Sequence, residues 1–393
     1  DTLGFELHCI QVEGYFDRTN VYGYPDDSNR FLVFQLAFVK WLSAWSTNPD
    51  LIHIHDYHAG LIPFLMKNCH DYKNLSNINT VLTIHNAQYQ GWMPMTEADN
   101  FPSWERWNTG LLEWDHQLNP LACAIKCVNK VTTVSPSYMQ ELFFKANGIE
   151  NLIAAEQQKC LGIINGIDYT VWNTATDSFL NFNFDKNNIE EGKLLNKKQL
   201  CNSFGFDPQL PLIIFIGRLV MEKAADILPD ALKTVLEKYH HQFNFLMLGN
   251  GDPVIENALS QLNTPYFGYY HSRLEYNEQL SHQMYAGADF LLMPSRVEPC
   301  GLNQMYALRY GTLPMVRRTG GLKDTVIDFG EKNGYGICFN EANVDDIVYS
   351  IGRAIDLYHD VSKLNLLRKK MMTINNSWER SAKEYLELYS SIS

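Results

Sequence analysis

Between Phe290 and Thr325 the chain reads apolar run, turn, helix, apolar run, turn, helix, and that order leaves few folds open. Phe290–Met293 is uninterrupted apolar sequence, the mark of a strand buried on both faces. The turn at 295–301 follows, carrying the carboxylate of Glu298 and broken by Pro299. Beyond it Leu302, Met305, Tyr306 and Tyr310 recur at helical spacing until Gly311. Residues 313–316 are a second apolar run, and Arg317, Arg318, Thr319, Gly320 and Gly321 form a second turn. Such alternation predicts a parallel α/β sheet, whose strand-end turns are where ligands bind. One turn offers a carboxylate and a helix N-terminus. The other offers N–H groups beside two arginines. That pairing suits a sugar hydroxyl next to a phosphate.

The same alternation runs along most of the chain. Residues 7–12 read as a strand, and Phe31, Phe34, Phe38, Leu42 and Trp45 set a helix over 31–45. A strand at 51–55 enters a turn holding Asp56 and His58, and a strand at 80–85 ends at the turn beginning with Asn86. A helix over 118–129 and a strand over 130–134 follow, and another helix starts at Ser135. The turn at Asn165 and Gly166 calls for a positive φ at the glycine. Residues 174–210 shift to Asn, Lys, Asp and Glu and include a polar helix, so the inter-domain connection is expected there. Strands are then expected at 212–216, 244–248, 264–267 and 290–293, with helices at 227–239, 254–262, 277–286 and 378–389. A single core seldom grows past ~250–300 residues, so 393 residues predict two domains. The expected division is 1–173, a connection and the start of the second domain at 174–210, the second domain proper at 211–375 and a terminal helix at 376–393 that returns to the first domain. Two βα-alternating halves predict two doubly wound, Rossmann-like parallel-sheet domains facing a cleft.

Charge narrows the function. A net charge of −12 argues against a nucleic-acid partner, though local Arg and Lys can still hold a small anion. No apolar run is long enough to span a bilayer. The cysteines Cys9, Cys69, Cys123, Cys127, Cys160, Cys201, Cys300 and Cys338 show no framework spacing, which fits free thiols in a reducing cytoplasm. His53, His55 and His58 invite a metal reading, but no carboxylate–cysteine set completes a site, so no metal is expected. Gly217, Arg218 and Lys223 follow the buried run LIIFI. A close-approach glycine, a guanidinium fork and a point charge fit a diphosphate clamp; a solvated basic turn is the alternative. The stretch is neither a P-loop nor a GxGxxG turn.

The stretch EPCGLNQMYALRYGTLPMVRRTGGLKDTV resembles the glycogen/starch synthase family of retaining GT-B glycosyltransferases in its bacterial form. HIHDYHAGL, TIHNAQYQGW, TVSPSY, INGIDYTVWN, IGRLVMEK, GNGDP and SWERSAKEYLELY follow in the family's order, so the resemblance covers nearly the whole chain. It implies transfer of glucose from ADP-glucose or UDP-glucose to the non-reducing end of an α-1,4-glucan, with retention. Arg218 and Lys223 match the cations that neutralise the departing nucleoside diphosphate. His58 matches a histidine lining the donor sugar. Glu298 is implied to hold a sugar hydroxyl, with capping of the following helix as the alternative. Gly301, Leu302, Thr319, Gly320 and Gly321 would present N–H groups to sugar or phosphate. Tyr276 aligns with an aromatic that stacks on the nucleobase; a core tyrosine is the alternative. The Asn86 turn faces the acceptor in the family. Asp56, Asn165, Gly217 and Cys300 complete the expected substrate-binding set, Cys300 as a small packing position.

In the family the leaving phosphate helps deprotonate the incoming hydroxyl, so no cofactor is expected beyond the nucleoside-diphosphate glucose substrate. The implied partners are that nucleotide sugar and an α-glucan, without nucleic acid or membrane; the sequence does not speak to oligomeric state. Ala224 stands where the family commonly has glycine, and Thr174 where it has proline. The family's Lys-Thr-Gly-Gly-Leu loop does not precede Asp1, so the first domain is expected to be N-terminally truncated. Two other readings stay open: a related retaining transferase of sucrose or trehalose type, and an inactive homologue that binds glucan or a partner.

Overall fold

A computed structural model describes residues 4–392. They fall into two compact units. One takes the chain up to Val134, Met139–Ile163 and the residues from Glu384 onward; the other takes Ser135–Tyr138 and Ile164–Lys383. Residues 164–173, expected with the first domain, therefore group with the second. Among the described residues no helix is long and apolar enough to cross a membrane.

The first unit is built on a parallel sheet of β1 (Leu51–His55), β2 (Asn79–Ile84), β3 (Lys130–Thr133) and β4 (Cys160–Gly162), paired in chain order. Helices Asp27–Ser43, Ile62–Asn68 and Pro120–Cys127 belong to the same unit. The last begins sharply because Pro120 is pre-set for a first turn and the Asn119 side chain accepts from Ala122 N at 2.9 Å. The tail closes on this sheet: Tyr389 OH meets His53 Nδ1 at 2.6 Å, and Asn79 Nδ2 donates to the Ile392 carbonyl at 2.6 Å. Residues 7–12 do not form a strand. Their alternation has no neighbouring ladder among the described residues, and Leu7 stays 67% exposed.

The second unit holds six parallel strands: β5 (Leu212–Ile216), β6 (Asn244–Leu248), β7 (Tyr270–Arg273), β8 (Phe290–Met293), β9 (Leu313–Arg317) and β10 (Ile337–Phe339). Their order across the sheet is β10-β9-β8-β5-β6-β7. Continuous apolar runs are required because both faces are covered. Ile213, Phe215, Phe245, Met247, Phe290 and Leu292 join one core; Leu212, Ile214, Leu246, Leu248, Leu291 and Met293 join the other. Helix Leu228–Lys238 shows why its sequence is helical: Leu228, Ala231, Leu232, Val235 and Leu236 fall on one buried face. The expected strand at 264–267 is not formed; the strand lies at β7 instead. Pro265 has no N–H to give a ladder, whereas Tyr270 pairs with Phe245. Gly166 has no positive φ. It is needed for close approach, since a methyl there would lie 2.4 Å from Trp378 N.

The polar stretch expected between the domains is helix Ile189–Phe204, and it belongs to the second unit. Of its three lysines, Lys198 faces solvent and two do not. Lys193 and Lys197 are both buried. Lys197 Nζ donates to Asp289 Oδ2 at 2.6 Å and to Tyr358 OH at 2.9 Å. Arg368 donates to the other Asp289 oxygen, and Leu212 N donates to Oδ2 at 2.8 Å. Burial pushes the Asp289 carboxyl up, but Lys197, Arg368 and these hydrogen bonds outweigh it and hold it below the usual range. Burial lowers the Lys193 ammonium well below its ordinary value; its nitrogen donates to the Tyr285 carbonyl at 3.0 Å and to Thr312 Oγ1 at 2.6 Å. Removing one member of a buried ion cluster leaves charges unpaired, at a cost of about 3–5 kcal/mol. Asp289→Ala should lower stability by that amount at neutral pH in urea titrations. A depressed carboxylate stabilises above its unfolded pKa of about 3.9 and loses that contribution as pH falls through the lower folded value. The gap between wild type and Asp289→Ala should therefore narrow below about pH 4.

Candidate active site

Strand order reverses between β5 and β8: the chain moves one way from β5 to β6 and β7, and the other way from β8 to β9 and β10. Turns leaving two such strands diverge and open a crevice at their carboxyl ends. Gly217 and Arg218 leave β5 there, and the turn at 295–301 leaves β8.

These two turns are tied together. Arg296 N and Val297 N donate to the Glu222 carbonyl at 2.8 and 3.2 Å. Lys223 Nζ then reaches Glu298 at 2.7 Å to Oε1 and 2.6 Å to Oε2. Ser295 Oγ donates to Glu298 Oε2 at 2.8 Å. The Glu298 side chain is 8% exposed and that of Lys223 23%, so the pair is shielded on the carboxylate side and open on the ammonium side. Arg218 is 62% exposed and lies 3.5 Å from Glu222 Oε2. Arg218, Lys223 and Glu298 thus gather at one crevice. Ala224 adopts φ 54° and ψ 33°. The turn keeps its left-handed residue without glycine, at about 1–2 kcal/mol.

Two cavities open here. One of about 320 Å3 runs from Arg218 and Asn250 to Trp172, Tyr276 and Tyr306. The other, about 170 Å3, holds Lys223, Ser295, Glu298 and Leu302. Both are lined by Ile216, Gly217 and Asn303, so they adjoin. Tyr276 is 84% exposed on the rim, which removes the core alternative. Cys300 is buried, and burial pushes its thiol up to about 12 against a backbone hydrogen bond at Asn165. A protonated, inert thiol is the result, beside the Asn165 backbone.

The glycine turn after β9 does not act as expected. Thr319 N donates to the Arg317 carbonyl at 2.9 Å, and Gly321 N to the carbonyls of Glu298 and Pro299 at 3.1 and 3.2 Å. Those N–H groups serve the protein, not a ligand. A methyl on Gly320 would sit 2.1 Å from the Glu298 carbonyl oxygen, and one on Gly321 2.0 Å from that of Cys300. The glycines exist so that this turn can press against the 295–301 turn. Arg317 Nη1 donates to the Ser295 and Arg296 carbonyls at 3.2 Å, and Arg318 pairs with Glu331. Both arginines are engaged within the protein. Among the described residues the N–H groups of Gly301 and Leu302 have no partner. Helix Asn303–Arg309 has no side-chain cap, so Glu298 does not act as one.

In the first unit Asp56 and His58 lie just past β1. Asp56 has φ 56° and ψ −171°, a strained backbone for a residue with a side chain, and Asp56 Oδ1 accepts from His85 N at 2.8 Å. His58 stacks on Tyr57 at 3.8 Å and meets Phe31 edge-on at 4.4 Å. Burial lowers its pKa, against the pull of Asp56 and Asp27. Asn86 Oδ1 accepts from Gln88 N at 3.0 Å and so shapes its turn. His53 is held by Tyr389 and Thr83, and His55 Nδ1 faces His85 Nε2 at 3.0 Å. Among the described residues no group of three His, Cys, Asp or Glu is placed to hold a metal ion.

Sequence reasoning missed Ser295, Asn303, Trp172 and Tyr306. Ser295 was findable, three residues before Glu298 in the same turn. Asn303 Nδ2 donates to the Ile216 carbonyl at 2.7 Å and anchors the helix to the end of β5. Trp172 stacks on Tyr306 at 3.7 Å. That contact joins residues far apart in the chain, and no local signal marks it.

Residues 2–155 match the sequence family described as starch synthase catalytic domain, and 196–370 the one described as glycosyl transferases group 1. A glycogen synthase from Flavobacterium johnsoniae is 49% identical over 392 residues, covering 100% of this chain and 83% of that protein. One from Streptococcus pneumoniae is 36% identical, covering 99% and 83%. The catalytic domain of starch synthase IV from Arabidopsis thaliana, bound to ADP and acarbose, superimposes with a TM-score of 0.87 at 33% identity, over 96% of this chain and 80% of that one. Sucrose-phosphate synthase from Thermosynechococcus elongatus, at 15% identity and TM-score 0.62 over 94% and 80%, shares the fold.

Pushing a methyl into a packed contact costs roughly 1–3 kcal/mol. Gly321→Ala should therefore loosen the 295–301 turn. The amides of Arg296 and Val297 should exchange with solvent roughly ten-fold faster or more, measured by hydrogen–deuterium exchange. Unchanged exchange would mean the two turns are not pressed together.

Proposed function

The chain belongs to the glycogen and starch synthases, glycosyltransferases of α-glucan synthesis, and from that premise we propose that it moves glucose from a nucleoside-diphosphate glucose to the non-reducing end of an α-1,4-glucan with retention. The observation that carries the assignment of roles is the Lys223–Glu298 pair at the strand-order reversal, beside exposed Arg218. ADP-glucose is the proposed donor; the Arabidopsis starch synthase likeness, a protein bound to ADP, supports it.

Loss of the nucleotide builds negative charge on the β-phosphate and positive charge at the anomeric carbon. Donors fixed in place before reaction stabilise that charge without reorganising. Lys223 is already held by Glu298, so its ammonium needs no ordering when a phosphate arrives. Arg218, with little packed against it, supplies a planar fork to the same diphosphate. Tyr276 on the rim, with Asn250 and Glu278 in the same cavity, forms the proposed base and ribose end. Glu298, held by Lys223 and Ser295, accepts from a sugar hydroxyl, with the Gly301 and Leu302 N–H groups beside it. His58, its imidazole kept neutral by burial, is the proposed hydrogen-bonding group toward the donor sugar, with Asp56 beside it. Asn86 and Asn165 keep proposed substrate contacts in their turns. Cys300, Thr319, Gly320 and Gly321 are proposed to act through packing. The departing phosphate takes the acceptor's proton on the same face, so no second carboxylate and no metal enters the scheme.

Losing one such donor costs about 2.7–4 kcal/mol, or 10²–10³ in kcat. Arg218→Ala and Lys223→Ala should each lower ADP release in the presence of glycogen by that factor. Turnover at the wild-type rate in either variant would overturn the clamp. Side-by-side rates with ADP-glucose and UDP-glucose test the donor. EDTA should leave the rate unchanged; a loss that added divalent metal restores would contradict the metal-free scheme.

A further inference from the structure

Helices Ile189–Phe204 and Glu278–Gly287 flank a separate cavity of about 380 Å3, within the roughly 300–1,000 Å3 range of small-molecule sites. Its chemistry differs from that of the diphosphate crevice. The polar lining is mostly amide: Asn196, Gln199, Asn277, Gln279 and Gln283. The charged group in it, Arg273, is neutralised by Glu275 at 2.7 Å.

Several of these amides are fixed yet unspent. Asn196 Nδ2 donates to the Phe182 and Gly192 carbonyls at 2.8 and 2.9 Å, and Gln283 Nε2 to Phe179 O at 3.2 Å. Each is thereby oriented, and each keeps its amide oxygen without a partner among the described residues. The side-chain amides of Gln199 and Gln279 have no partner there either. Phe204, half-buried at the helix end, adds an aromatic wall.

We infer that this groove is an accessory α-glucan subsite, separate from the crevice where transfer occurs; the inference rests on the reading that the acceptor is a glucan. Planar amides present a donor and an acceptor side by side, which matches the vicinal hydroxyls of a pyranose. A lining made mostly of neutral amides suits a polyhydroxyl ligand better than a phosphorylated one, which clusters of Arg or Lys recognise. The aromatic wall packs against the C–H face of a sugar ring. Asn277 lines both this groove and the cavity holding Tyr276, so the groove adjoins the donor cavity within the second unit. A polymer held at a second point keeps its ends at a raised local concentration. A short acceptor cannot use both points.

The test uses the full chain and the double variant Gln199→Ala/Gln279→Ala, with far-ultraviolet circular dichroism to verify folding. Each lost hydrogen bond weakens binding roughly 2- to 10-fold. On native gels containing glycogen the variant should migrate faster than wild type, and its KM for glycogen should rise by about that factor per residue, with KM for maltotriose and for the donor unchanged. Equal retardation of variant and wild type overturns the subsite. So does a matching rise in KM for maltotriose, because the groove would then belong to the reacting-end site. A wild-type protein that transfers to neither acceptor overturns the functional reading instead, and gel retardation still decides the groove.

Discussion

An ammonium held by a carboxylate across the strand-order reversal is the constraint on which the second unit's site depends. Lys223 comes from the turn after β5 and Glu298 from the turn after β8. The Glu222 carbonyl binds Arg296 N and Val297 N, and the Arg317 guanidinium binds the carbonyls of Ser295 and Arg296. Gly320 and Gly321 let the next turn close from behind. An arginine and two glycines that look like ligand-binding groups are thus the scaffold of the pair that can bind one.

β8 carries a buried ion cluster at each end. Asp289 precedes it and gathers Lys197, Arg368 and Leu212 N; Glu298 follows it and gathers Lys223 and Ser295. The chemistry of the two ends differs because their access differs. At the amino end Lys197 is 5% exposed and Asp289 3%, so the cluster is sealed and structural. At the carboxyl end Lys223 is 23% exposed beside open cavities, so its charge is available to an incoming anion. The same pairing of lysine with carboxylate serves stability in one place and recognition in the other.

Two of the strained backbones also sit at strand ends. Asp56 past β1 and Ala224 past β5 both hold positive φ without being glycine. Such backbones persist only when their surroundings over-determine them. For Asp56 the determinant is His85 N on its carboxylate; for Ala224 it is complete burial between the Val220–Lys223 turn and the helix that follows.

The sequence alone determined the α/β class, most strands and helices, and the family. Apolar runs such as LIIFI and FLLM, alternating with helical stretches, suit strands covered on both faces in a parallel sheet, and the motifs around Arg218, Lys223 and Glu298 are local in the chain. It determined less where a residue's role depends on what lies opposite it. The helix carrying Lys193 and Lys197 read only as polar because their partners, Thr312 and Asp289, lie far along the chain. Arg317, Arg318 and the N–H groups of Thr319 and Gly321 read as ligand-binding because the carbonyls and carboxylate that occupy them belong to other segments. The alternation at 7–12 read as a strand because a pattern cannot say whether a ladder stands beside it. Whether a charge or an N–H is free for a ligand is a question of what already satisfies it, and only the tertiary structure, by bringing distant groups within hydrogen-bond distance, decides that.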